Sequence, residues 1–364
     1  MRRLKRSACL VFDFEGERLY GRNYLTGVRL RLSPATLQVL ASMSTWVAPA
    51  DLVKSLSPLP PAIVRRTLKA LEAATFIVAK GSRQARAELR LQPWFKWPLE
   101  ARFYHLSTKR DHSVPPARDE PRLVRTLLRT ASMPARVKAY KGRRTVKLPD
   151  LDGRASDSFV DVLLRRRTRR RFGAGSVSLA DLATLLRLTW GFTSTLQWPG
   201  LGAVPLRTSP SGGARLPIDV YVAAAKIDGL APRLFYYQAD RHQLVAVGGG
   251  VDGADLARCC GHQQWAAHAS AVFLMTAVIP RMTWRYRSSR AYRVMVLEAG
   301  HLCQTLCLTA TWLGLGVFST AALDDQYVER RLGIDGCEET VVYAAGIGPL
   351  PDRDAATAAA VVPE

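Results

Sequence analysis

The hydrophobic and polar positions of this chain change period several times, and each change marks an element. Residues 9–22 alternate about a Glu15-Gly16 turn and predict a hairpin. Ser33-Pro34 supplies an N-cap with proline at the first helical position, and Leu37, Val39, Leu40 and Met43 then trace the inner face of a helix. A short second helix is predicted over 50–56. Pro60-Pro61 opens a third, with Val64, Leu68 and Leu71 inward and Arg65, Arg66 and Lys69 outward. Residues 76–79 read as a strand closed by Gly81. A hairpin, three short helices and a returning strand predict a small winged-helix-like domain over residues 1–81.

Residues 82–155 are weakly patterned and basic, and read as a partly helical connector in which Trp94 and Trp97 are packing residues. From 156 the pattern sharpens. An amphipathic helix starts over 156–164, and Ser178 with Asp181 forms a cap ahead of Leu182, Leu185 and Leu186. Strands are predicted over 218–227, 271–279 and 340–347, with a hairpin made by 234–238 and 243–247. A long, mainly apolar helix is predicted over 291–313. It holds Arg293, Glu298, His301 and Gln304, too many polar groups for a membrane span. Strands and helices mixed without regular βαβ alternation give an α+β class. Residues 351–364 read as a flexible tail.

Composition adds partners and compartment. The chain has 364 residues and is 48% hydrophobic, enough for two domains. Its 52 Lys and Arg against 30 Asp and Glu leave a net charge of +22, which calls for an acidic partner: nucleic acid, an anionic membrane, an acidic peptide or an acidic carrier protein. The start lacks the apolar core of a secretory signal. Six scattered cysteines give neither a disulfide framework nor a zinc spacing. Cys259-Cys260-Gly261-His262 reads as structural, so no metal is expected, and a reducing cytoplasm fits.

Three stretches carry candidate chemistry. Residues 165–171 hold six arginines in seven positions, broken by Thr168. Arginine's planar fork suits a phosphate, and a helix end could gather two or three such groups about one anion. A solvated helix face is the competing reading. In Thr208-Ser209-Pro210-Ser211-Gly212-Gly213-Ala214, proline fixes one dihedral while two glycines allow close backbone approach to a flat ring. Trp312-Leu313-Gly314-Leu315-Gly316 ends the long helix on glycines.

Together these stretches resemble a known family. Arg166-Arg167-Thr168-Arg169-Arg170-Arg171-Phe172 is similar to the Arg-Arg-Ser-x-Arg-x-Phe opening of the FMN-dependent nitroreductase superfamily. Residues 207–215 resemble the Pro-Ser-Gly-Gly-Ala loop of its SagB-type branch, as do 234–237, the Glu298-Ala299-Gly300-His301 helix and 332–336. The resemblance covers 156–350 and extends to the N-terminal module. It implies a nitroreductase-like FMN-binding fold and a homodimer with FMN at the subunit interface. The implied activity is oxidation of azoline rings, thiazoline or oxazoline to thiazole or oxazole, in a ribosomally made peptide natural product. It places Arg166, Arg167, Arg170 and Thr168 on the cofactor, lines the flavin with Pro210, Ser211, Gly212 and Gly213, and sets Gly314 and Gly316 near the isoalloxazine. Arg165, Arg169 and Arg171 remain as surface charge. The branch's catalytic Lys-Tyr pair corresponds to Arg285-Tyr286 here, and Tyr286 as a plain core aromatic is the alternative. Arginine cannot act as a base, so Tyr286 carries the proton transfer with Arg285 as electrostatic partner, or the reaction differs.

The partners implied are an acidic peptide recognised by the N-terminal module, or a carrier protein, alongside other biosynthetic enzymes. A flavin oxidase acting on a carrier-tethered or other natural-product intermediate is the second enzyme reading. A winged-helix nucleic-acid-binding protein, supported by Arg65, Arg66 and Lys69, is the reading from a different class. Assigning the arginine run to a phosphate argues against it, and nothing calls for a membrane.

Overall fold

The computed structural model describes residues 2–92, 95, 98–109, 120–151 and 158–351; Trp94, Trp97, Ser156 and the tail beyond 351 lie outside the described residues. The chain divides into two compact units, residues 1–114 and 115–364, a break that falls inside the stretch read as a connector.

The first unit opens with β1 (Leu4–Arg6), β2 (Leu10–Glu15), β3 (Arg18–Asn23) and β4 (Arg29–Arg31). Strands β2, β3 and β4 form an antiparallel sheet with β2 at one edge. Helices α1 (Pro34–Ala41), α2 (Pro49–Ser55) and α3 (Pro61–Ala73) follow at the expected places. Ser33 caps α1 by accepting from the Thr36 N–H, and Val64, Leu68 and Leu71 of α3 are buried. The returning strand β5 (Ile77–Ala79) pairs with β1, a strand too short to show a period. Leu4, Leu40, Met43, Leu52, Val64, Leu71 and Phe76 make the core of this unit. Helices α4 (Arg83–Leu89) and α5 (Leu99–Thr108) complete it.

The second unit contains α6 (Glu120–Thr130), β6 (Thr145–Lys147), α7 (Phe159–Arg165), α8 (Leu179–Trp190), the hairpin β7 (Ser194–Trp198) and β8 (Gly202–Leu206), then β9 (Ile218–Ala224), β10 (Arg233–Gln238), β11 (Gln243–Ala246) and α9 (Gly253–Cys259). It continues with β12 (Ala271–Val278), α10 (Ile279–Thr283), α11 (Arg290–Trp312), β13 (Leu315–Thr320), α12 (Asp325–Leu332) and β14 (Glu339–Pro349). Seven strands form one antiparallel sheet in the order β13-β14-β12-β9-β10-β11-β6. Side chains alternate across it. Ile218, Val220 and Val222 of β9 face α8 and α11, with Leu185, Leu186, Leu302 and Leu306. Tyr221 and Ala223 face the opposite side, with Leu256 of α9 and Val328 of α12. Helices cover both faces, so β9 and β12 are apolar almost throughout rather than alternating. The architecture is the expected mixed helix and sheet class. The main surprise is β13. It follows α11 after two residues, Leu313 and Gly314, and Gly316, read as part of a glycine-rich helix end, lies within the strand opposite Gly348.

A buried polar cluster joins sheet and helix below the site. Arg281 of α10 pairs with Asp219 of β9 through two contacts of 2.6 and 3.0 Å, and Lys138 lies 3.3 Å from the same carboxylate. Burial by itself would raise the Asp219 carboxyl, but the Arg281 and Lys138 charges outweigh it and hold the group below the ordinary range. Arg281 also donates to the carbonyls of Leu216 (2.9 Å) and Ala135 (2.8 Å).

Candidate flavin site

The Pro-Ser-Gly-Gly stretch forms a tight loop between β8 and β9. Ser209 is buried, with Oγ 2.6 Å from the Thr305 hydroxyl of α11. Gly212–Ala214 make one turn of 3-10 helix, and Gly213, Ala214 and Leu216 stand at φ of 59°, 48° and 52°. Two of these are not glycine, and each left-handed residue of that kind costs about 1–3 kcal/mol unless its surroundings hold it. Four contacts do so. The Leu216 N–H donates to Ser211 Oγ at 2.9 Å, Arg215 Nε to the Gly213 carbonyl at 2.9 Å, Arg281 to the Leu216 carbonyl, and the Gly212 N–H to Glu298 Oε2 at 3.3 Å.

Tyr286 reaches this loop from the turn after α10. It is half-buried, and a Cβ built on Gly213 would collide with its hydroxyl. A side chain at 213 would be strained by the positive φ and would displace the Tyr286 hydroxyl. The Arg285 guanidinium carbon lies 5.2 Å from the Tyr286 ring centroid. The structure thus joins Ser211, Gly212, Gly213, Tyr286 and Arg285, which the sequence separates by more than seventy residues, into one neighbourhood. Pro210 is exposed at its edge.

The arginine run behaves differently from a helix face. Helix α7 ends at Arg165 and the chain then extends, with Thr168 bridged to Val317 of β13 and the Arg169 N–H donating to the Val317 carbonyl at 2.7 Å. Along an extended segment alternate side chains share a side. Accordingly Arg167 and Arg169, with Arg165 from the end of α7, line one recess of about 40 Å³ with Thr311, Gly314, Leu315 and Leu350. Arg165 and Arg169, read from sequence as surface charge, are half-buried there. Arg166 is half-buried at the end of α7, exposed Arg170 stacks over Trp265 at 5.3 Å, and Arg171 is exposed. Arg167 is common to the recess and to the set taken from the resemblance. Gly316 packs closely beneath Phe172 and Leu350, at 3.2 and 3.1 Å from the place a Cβ would take, whereas Gly314 has open space on that side.

Sequence reading passed over Glu298 as a site residue. It lies on the buried face of α11 at 2% exposure, beneath the loop. Burial pushes its carboxyl up from 4.5 to about 7, against the opposing pull of a hydrogen bond from Ser211, the Arg207 charge and the Gly212 N–H. Its Oε1 has no hydrogen-bond partner among the described residues. The available signal was a carboxylate in the apolar stripe that holds Met295, Ala299 and Leu302. Arg207 was missed as well. Its Nη1 donates to the Ile218 carbonyl at 3.1 Å, and burial lowers its ordinary pKa.

These donors fit FMN. Guanidinium groups around a small recess match a phosphate, and a left-handed loop carrying a serine hydroxyl matches the edge of a polar ring system. Among the described residues no cluster of ligating side chains suits a metal, and no helix is long and apolar enough to cross a membrane.

Residues 163–349 match the nitroreductase family. The chain is 30% identical over 189 residues to MJ1384 of Methanocaldococcus jannaschii, covering 52% of this chain and 89% of that protein. It is 28% identical over 172 residues to the trifolitoxin-processing protein TfxB of Rhizobium leguminosarum bv. trifolii, so that the match spans 46% of each. In fold it is similar to a nitroreductase-like crystal structure from Anabaena variabilis, with a TM-score of 0.51, 23% identity and coverage of 70% of this chain and 47% of that one. The family expected from the arginine run and the Pro-Ser-Gly-Gly loop is the one that matches, and its members are flavin-dependent oxidoreductases whose cofactor is FMN. This chain belongs to the nitroreductase family.

Proposed function

We propose that the chain is a SagB-type dehydrogenase that oxidises azoline rings in a ribosomally made peptide. The observation that carries this reading is the Tyr286 hydroxyl resting on Gly213. It sets a proton-transfer group against the loop that the resemblance puts beside the flavin. The two motifs that mark the branch are also joined physically, by the Gly212 N–H donating to Glu298. Similarity to a protein named for processing trifolitoxin supports a peptide substrate. All six cysteines are free thiols, which suits the cytoplasm.

Turning an azoline into an azole removes two hydrogens, one as hydride and one as proton. FMN, when bound, supplies the two-electron acceptor. The chain's own groups do the rest. Tyr286 takes the ring proton on its phenolic oxygen. To accept it Tyr286 must be the phenolate, whose negative charge the transfer neutralises; Arg285 cannot take a proton, and its fixed charge pairs with that phenolate beforehand. Ser211, Gly212 and Gly213, with Pro210 at the edge, line the ring, while Gly314 leaves open space beside the arginine recess. The resemblance would put Arg166, Arg167, Arg170 and Thr168 on the phosphate, and of these Arg167 also lines the arginine recess. Arg285 in place of lysine is the specific observation that favours the second reading, a flavin oxidase working on a carrier-tethered intermediate.

The loop and the arginine recess meet α11 at different places, Glu298 and Thr311, about 20 Å apart at 1.5 Å per residue. A two-fold dimer that shares FMN between protomers brings the two donor sets together. The visible absorbance of the purified protein tests the cofactor directly: flavin bands are expected. Arg166→Ala with Arg170→Ala should strip flavin from a folded protein, since each charge-assisted hydrogen bond contributes about 1.5–3 kcal/mol. Full retention in that variant would move the phosphate to the Arg165, Arg167 and Arg169 recess.

A further inference from the structure

Glu298 takes no part in the chemistry described above, yet among the described residues it is the only carboxylate that accepts from an amide of the loop. Three features converge on it. It is 2% exposed on a helix whose inner face is otherwise apolar. Its Oε2 accepts from the Gly212 N–H at 3.3 Å, and the Ser211 side chain lies close enough to act on its charge. Its Oε1 is buried without a partner. The loop it holds contains two non-glycine residues in left-handed conformation, so it depends on outside anchors to stay closed.

We propose that Glu298 is a positioning residue that latches the Ser211–Leu216 loop through its neutral, protonated form and loosens it on ionisation, so that the fit of the loop to the flavin depends on pH. The proposal rests on the flavin reading for what the loop does, and on the buried, bare Oε1 and the Gly212 contact for the latch. A bare, buried Oε1 is a poor place for negative charge and a natural one for a proton. Protonated there, the carboxyl leaves Oε2 free to accept from Gly212. The groups that act on it are Arg207 ahead of the loop, Ser211 and Gly212 on the loop, and Arg281 of α10, which is itself paired with Asp219 of β9. The two guanidinium charges and the loop contacts from Ser211 and Gly212 favour ionisation, and burial outweighs them all.

The sign follows from linkage. With the loop closed, the carboxyl is raised from 4.5 to about 7. Opening returns it to water and to its ordinary value. Closure is therefore fully supported below about pH 4.5, loses support as pH rises through 7, and is independent of pH above that.

The test is hydrogen exchange of residues 211–216 in the flavin-free full chain between pH 5 and 8, corrected for intrinsic rates. Protection should fall by threefold or more per pH unit up to about 7, within the tenfold that one released proton allows, and then level off. Glu298→Gln, a neutral isostere, should hold the low-pH protection at every pH. FMN affinity, read by flavin fluorescence, should drop about tenfold or more in Glu298→Ala and return to within threefold of wild type in Glu298→Gln. A flat profile in the wild type, or the same slope in Glu298→Gln, overturns the latch, as does unchanged FMN affinity in Glu298→Ala. If Glu298→Ala does not fold, the Glu298→Gln profile decides. A wild type that takes up no FMN overturns the flavin reading, and the exchange profile still decides the latch.

Discussion

Tyr286 and its neighbour show how much one contact can carry. The Tyr286 hydroxyl occupies the space that a side chain at position 213 would need, so the glycine and the tyrosine depend on each other. Tyr286→Phe keeps the ring and its packing, and should leave fold and flavin intact. Turnover of an azoline peptide should fall by about 10²–10⁴-fold, the usual scale of a lost general base, measured as kcat/KM. A wild-type rate in that variant would move the proton elsewhere. Arg285→Lys restores the branch's pair and should keep or raise azoline oxidation. If the variant alone has the activity, the native substrate is not an azoline. Both residues were legible in the sequence through their motif. Glu298 was legible only as a misfit in an apolar stripe, because its significance lies in a loop 86 residues away.

At the scale of the element, α11 organises the second unit. Met295, Ala299, Leu302 and Leu306 face the sheet, while Thr305 and Glu298 receive the loop. Three of its other apolar residues are exposed, Tyr292 and Val296 at 47% and Leu297 at 60%. Helix α7, packed against it, exposes Phe159, Val160, Leu163 and Leu164. Two neighbouring helices with uncovered apolar faces fit a two-fold interface of obligate size, about 2,000 Å² or more. Light scattering should give twice the chain mass at micromolar concentration. Leu164→Glu with Leu297→Glu should halve it and release FMN; a dimer that survives both charges places the interface elsewhere. The length of α11 was predictable from its run of apolar residues. The strand after it was not, because Leu315–Thr320 is short, holds a glycine, and acquires its conformation by pairing with β14.

Across the whole molecule, the charge of +22 and the separate N-terminal unit bear on the acidic substrate proposed above. Edge strand β2, with Phe12 and Phe14 exposed, suits a peptide added as a further strand. Removing residues 1–114 should weaken binding of an acidic peptide, read by fluorescence anisotropy, and leave flavin in the remaining unit, whose core clusters are its own. Unchanged peptide affinity would reduce the first unit to a brace. By itself the sequence determined what is local or carried by composition: the caps at Ser33 and Ser178, the inward stripes of α3 and α8, the mixed fold class, the family and its cofactor. Only the tertiary structure decided which groups meet. It sorted the arginine run by alternation along an extended segment, drew Arg165 and Arg169 into a recess, and set Tyr286 on Gly213. It also buried Glu298 under the loop. Periodicity reports the face a residue shows to its own element, whereas a site is made by the faces of different elements meeting, and burial then sets the charge each group carries.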